Sequence, residues 1–151
     1  MAKFKSTARS AWAPRLKYIL VKSLDLVYII EDDIITSKIT ELHLHQHGGF
    51  GKVKKFVNGE PALRALLDAA ARPAQLPDLI LLDLNMPVMD GWEFLDAFTA
   101  HSWNKPVCVC VLTSSIQSED IEKAKTYKEV KGYFSKPLDT GLLDRMLQLL
   151  D

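Results

Sequence analysis

Short apolar runs alternate with amphipathic stretches along this chain and predict a doubly wound α/β domain, a five-stranded parallel sheet built as (βα)5. Three observations carry that expectation. The apolar runs are continuous rather than alternating, as befits strands buried on both faces. Each is followed by a segment with helical spacing, in units of about 20–30 residues, the length of a strand joined to the next by a helical crossover. Charged or hydroxyl residues follow four of the five runs directly, so they gather at one edge of the sheet.

Leu26-Val27-Tyr28-Ile29-Ile30 is the first strand, β-branched and bounded by acids. Residues 34–46 form a helix with Ile35, Ile39 and Leu42 at core spacing, stopped by Gly48-Gly49. Residues 52–57 make a more polar strand, suited to a position near the sheet edge. Asn58-Gly59 turns the chain into a helix from about Glu60, with Leu63, Leu66, Leu67 and Ala70 on one face; Pro73 and Pro77 close it. Residues 79–82 are a third strand and residues 92–101 a helix with Leu95 and Phe98 inward. A fourth strand covers 107–112, a helix 118–129 and a fifth strand 132–135. The closing helix carries Leu142, Leu143, Met146, Leu147 and Leu150 as a stripe of 3.6-residue period.

The 151 residues balance 19 Lys and Arg against 19 Asp and Glu, but unevenly. Residues 1–24 hold six basic residues and no acid, so the remainder carries a charge of −6. We therefore divide the chain into a basic N-terminal extension, 1–24, expected to be flexible, and a folded domain, 25–151. The acidic body argues against a nucleic-acid partner, since phosphate-backbone binding needs clustered Lys and Arg. No apolar run reaches the roughly 18 residues of a spanning helix, so membrane insertion is not expected. Two cysteines, Cys108 and Cys110, cannot form a disulfide framework, and a cytoplasmic location is the default expectation.

The predicted strand ends bring Glu31-Asp32-Asp33, Asp83, Thr113-Ser114-Ser115 and Lys136-Pro137 to one rim. Carboxylates crowded there repel one another unless a cation sits between them. Mg²⁺ suits the set, taking one or two carboxylates together with water and phosphate oxygens. The Thr113 hydroxyl and the Lys136 ammonium are donors for a phosphoryl group. The constellation points to phosphoryl chemistry on a carboxylate.

The segments IIEDD, LILLDLNMPVMDGWEFL, VLTSS and GYFSKPL, in that order, resemble the receiver domain of bacterial response regulators, most closely the single-domain, CheY-like kind. The resemblance implies sheet order 2-1-3-4-5, a cis Lys136-Pro137 bond, and Asp83 as phosphoacceptor. It makes Glu31 and Asp32 the metal-binding acids, leaving Asp33 outside the pair, and has Asn85 lend its backbone carbonyl to Mg²⁺. Thr113 and Lys136 would bind phosphoryl oxygens, with Thr113 and Tyr133 forming the switch; Asn85 and Ser115 occupy positions that tune dephosphorylation. The implied partners are a sensor histidine kinase or histidine phosphotransfer protein and a separate downstream protein. The residues after Lys136-Pro137 suffice for one closing helix, so signalling by docking is expected. A phosphorelay shuttle and a phosphorylation-independent interaction module are the alternatives within this fold.

Other readings are weaker. An aspartate-nucleophile hydrolase needs a second acid two residues after the nucleophile, and Asn85 cannot shuttle protons. His43 and His47 share a helix face, but no acid or thiol nearby completes a zinc site. Cys108 and Cys110 read as small core residues.

Overall fold

A computed structural model describes residues 23–150; the basic segment lies almost wholly outside them. Its elements are β1 (Leu24–Ile30), α1 (Ile34–His47), β2 (Phe50–Phe56), α2 (Gly59–Ala69), β3 (Leu79–Leu82), α3 (Gly91–Thr99), β4 (Cys108–Thr113), α4 (Ser118–Ala124), β5 (Val130–Ser135) and α5 (Thr140–Leu149). All pairings are parallel and the strand order is β2-β1-β3-β4-β5, as expected. The chain departs from β1 in opposite directions to reach β2 and β3, which opens a crevice at their carboxyl ends.

Period-two alternation sends neighbouring residues of each strand to opposite cores. Tyr28, Ile30, Ile80 and Leu82 pack with Ala62 and Leu66 of α2 and with Phe94, Leu95 and Phe98 of α3. Val27, Ile29, Leu81, Cys110 and Leu112 pack with Leu44 of α1 and with Leu142, Leu143, Met146 and Leu147 of α5. Every residue of β3 is buried, whereas β2 at the edge buries Phe50 alone. At the foot of the sheet Asp78 acts as a staple. Its Oδ2 accepts the backbone N–H groups of Asp25 (2.7 Å) and Leu26 (3.3 Å), and its Oδ1 pairs with Lys105 Nζ at 2.6 Å.

Three expectations need correction. Ile35, Ile39 and Leu42 do not face the core: they are 72%, 48% and 50% exposed, and α1 instead buries Ser37, Thr40 and Leu44. The small hydroxyl residues let the helix lie close, and Thr40 Oγ1 satisfies itself on the Thr36 carbonyl at 2.8 Å. On α2 the buried line is likewise Ala62, Leu66 and Ala69, with Leu67 outward. The helix expected over 118–129 stops at Ala124. Its end tightens into shorter-range bonds (Thr126 N–H to Lys123 O, Tyr127 N–H to Ala124 O), and Tyr127 is captured by α3. The Tyr127 hydroxyl donates to Asp96 Oδ1 at 2.6 Å and its ring stacks on Trp92 at 6.2 Å.

Candidate functional site

Backbone bonds that run past the strand ends assemble the rim. The Glu31 N–H donates to Phe56 O, the Asp83 N–H to Ile30 O, and the Lys136 N–H to Thr113 O, at 2.9–3.0 Å. The residue following each of β1, β3 and β5 is thereby held beside its neighbouring strand, and Thr113 is the last residue of β4. The Lys136–Pro137 peptide bond is cis.

Asp83 lies buried at the centre. Its Oδ1 accepts the Leu84 N–H at 2.8 Å, and its Oδ2 lies 3.3 Å from Lys136 Nζ, which also pairs with Glu31 Oε1. Carboxylate oxygens of Glu31, Asp32 and Asp83 all lie within 4.8 Å of one another. Burial, with Asp83 alongside, pushes the Glu31 carboxyl up to about 7 although the Lys136 hydrogen bond pulls the other way. Burial pulls the Lys136 ammonium down, but Glu31 and Asp83 outweigh it and hold its pKa above the ordinary lysine value. One lysine thus does not satisfy three acids. That deficit and an all-oxygen donor set fit a hard divalent cation such as Mg²⁺.

Thr113 is fully buried, and its Oγ1 accepts the Ser115 N–H at 3.3 Å. Tyr133 is half-buried and donates its hydroxyl to the Ser115 carbonyl at 3.1 Å; burial is the main cause of its raised pKa. Asn85 is exposed on the loop after β3 and shares a cleft of about 390 Å³ with Ser114, Ser115, Ile116, Gln117 and Asp120. That loop folds back through Gly91, whose N–H donates to Leu84 O at 2.9 Å and where a Cβ would stand 2.6 Å from Asp83 O. Only glycine fits there. Val88 in the same loop has φ of 68°, within a turn closed by the Met89 N–H on Pro87 O at 2.8 Å.

Asp33, left outside the acid pair, is the N-cap of α1: its Oδ1 accepts the Thr36 N–H at 3.0 Å, a bond that lowers its carboxyl pKa. His47 turns to α5, where Nε2 meets Asp144 Oδ1 at 2.6 Å while Nδ1 accepts the Gly49 N–H. Burial pushes the Cys110 thiol up to about 12, as suits a core residue. Sequence reasoning missed Asp120, whose Oδ2 accepts the Ser115 hydroxyl at 2.6 Å, because it resembles any acid in the first turn of a helix. Among the described residues no helix is long and apolar enough to cross a membrane.

Comparison with known proteins agrees with this architecture. A crystal structure of a two-component response regulator from Cytophaga hutchinsonii is 29% identical, with a TM-score of 0.78 over 85% of this chain and 97% of that one. The chemotaxis protein CheY4 of Vibrio cholerae is 27% identical at TM-score 0.70, covering 85% of this chain and 100% of its own. The KDP operon transcriptional regulatory protein KdpE of Escherichia coli is 32% identical over 82% of this chain, which spans only 49% of KdpE. The probable methanogenesis regulatory protein FilR2 of Methanothrix harundinacea is 27% identical over 82% of this chain and 79% of its own. The family model for the response regulator receiver domain matches residues 27–148, so this chain belongs to the response regulator receiver family.

Proposed function

We propose that the protein is a phosphoacceptor of a two-component system, in which Asp83 takes a phosphoryl group and the surface of α4, β5 and α5 reports it to a separate protein. The observation that carries this reading is the Lys136 ammonium shared between Glu31 and Asp83, with Asp32 within reach of both. The donor is a phosphohistidine of a sensor kinase or histidine phosphotransfer protein: its N–P bond breaks as an O–P bond to Asp83 forms, and the imidazole leaves. Glu31, Asp32, Asp83 and the Asn85 carbonyl would hold Mg²⁺. When bound, this ion supplies positive charge against the transferring phosphoryl oxygens.

The chain's own groups do the rest. Lys136 stands beside the acceptor carboxylate and neutralises charge there, a positioned electrostatic contribution of the kind that dominates phosphoryl transfer. The Leu84 N–H fixes the acceptor carboxylate through Oδ1. The new charge, about −1.5 to −2 by analogy with other phosphorylated side chains, draws the Thr113 hydroxyl towards it. Tyr133 moves with the space that Thr113 leaves. Moving such a switch from mostly off to mostly on needs about 5.5 kcal/mol of differential stabilisation. A few charge-assisted hydrogen bonds of roughly 1.5–3 kcal/mol each supply it. The chain turns over no external substrate in this role, and its place is the cytoplasm.

Acetyl phosphate with Mg²⁺ should add one phosphoryl group to the parent protein, read by intact mass. Asp83→Asn should take none, and chelation of the metal should suppress labelling of the parent. Labelling that persists in Asp83→Asn, or that ignores the chelator, overturns the assignment.

A further inference from the structure

Ser115 commits each of its polar groups to a different element of the rim. Its N–H donates to Thr113 Oγ1 at the end of β4, its carbonyl accepts the Tyr133 hydroxyl from β5, and its own hydroxyl donates to Asp120 Oδ2 of α4. The covalent path from Ser115 to α4 is loose by comparison. Ile116 is 78% exposed, Gln117 is exposed too, and Gln117 as N-cap makes no side-chain hydrogen bond. Ser115, Ile116 and Gln117 also line the cleft of about 390 Å³ shared with Asn85 and Asp120. The hydrogen bond to Asp120, at 2.6 Å, is at the short end of the range for an O–H···O pair.

The other end of α4 is tethered. Lys123 Nζ lies 4.4 Å over the Trp92 ring, and Tyr127 just beyond the helix stacks on Trp92 and bonds Asp96. With its carboxyl end fastened to α3, α4 carries at its amino end Asp120, bonded to Ser115. We propose that the Ser115–Asp120 hydrogen bond is the link that carries the state of the Asp83 site into α4, and that Asp120 is a positioning residue for the signalling surface. This deepens, and rests on, the reading of Asp83 as phosphoacceptor. When the Thr113 hydroxyl turns to a phosphoryl oxygen, the Ser115 N–H loses its acceptor and the loop shifts. Asp120 shifts with it because the Ser115 hydroxyl holds it.

Beryllofluoride with Mg²⁺, a stand-in for the phosphoryl group, tests the link by backbone amide NMR of the full chain. In the parent, amides near Asp83 and Thr113 and those of residues 118–124 should both shift. Ser115→Ala and Asp120→Ala should keep the shifts around Asp83 and lose those in 118–124. Asp120→Asn, whose carbonyl still accepts the Ser115 hydroxyl, should restore them. A part that merely supports the fold would lower thermal stability and leave the α4 response whole. Full α4 shifts in both alanine variants overturn the proposal while leaving Asp83 as acceptor. Asp120→Asn behaving like Asp120→Ala overturns it too, since charge rather than the bond would then be at work. A parent protein that shows no shifts near Asp83 defeats the phosphoacceptor reading, and this one with it.

Discussion

Replacing Glu31 by Gln probes why three acids share one rim. Burial and the neighbouring Asp83 raise the Glu31 carboxyl from 4.5 to about 7 despite Lys136. A carboxyl whose folded pKa lies above its unfolded value destabilises the fold once ionised. The cost is absent below the unfolded pKa, grows as pH rises between the two values, and is complete above the folded one. At about 1.4 kcal/mol per pH unit, the interval from 4.5 to about 7 is worth at most roughly 3 kcal/mol. Gln keeps the shape and a carbonyl for Lys136 but carries no charge. Metal-free Glu31→Gln should therefore match the parent near the unfolded pKa and exceed it by up to roughly 3 kcal/mol at about pH 8. Urea unfolding at both pH values, with midpoints converted through a common m-value, measures the difference. Mg²⁺ at about 100 times its Kd should return about 2.7 kcal/mol to the parent at the higher pH, and much less to the variant. A variant less stable than the parent without metal at that pH, or one gaining equally from Mg²⁺, would refute the reasoning.

Val88→Gly relieves a β-branched residue at positive φ; after the entropy that Gly adds to the unfolded chain, a gain of about 1 kcal/mol, or about 3–5 °C in Tm, is expected by calorimetry. Leu44→Ala should cost about 2–5 kcal/mol in chemical denaturation, while Ile39→Ala should stay within about 0.5 kcal/mol, the reverse of what core spacing alone implies. Thr113→Ala should still be labelled by acetyl phosphate but show no phosphorylation-dependent change in the amides of β5; an unchanged β5 response removes Thr113 from the switch.

The strands were legible because β1, β3 and β4 are nearly unbroken apolar runs, and the polar residue that ends each run could be placed at the rim with it; the order of the strands came from the resemblance of the motifs to the receiver family. The side of α1 that meets the sheet was not. Both the line Ile35, Ile39, Leu42 and the line Ser37, Thr40, Leu44 recur at helical spacing, and the choice rests on how closely the helix must approach β1 and β2. The early stop of α4 was hidden for a different reason: its cause is Tyr127 meeting Trp92 and Asp96, residues about thirty positions earlier on another helix. Asp120 escaped notice likewise, since its partner is a loop serine whose direction depends on Thr113 and Tyr133.

The staple made by Asp78 also bears on how the domain moves. A single carboxylate there fastens the first amides of β1 and the Lys105 side chain, and Lys105 in turn holds the Leu76 carbonyl at 3.0 Å. Three separate stretches of chain are thus clamped at the end of β3 opposite Asp83. A single side chain so shared ties the entry of β1, the approach to β3 and the approach to β4 together, so loss of the Asp78 carboxylate would release all three at once.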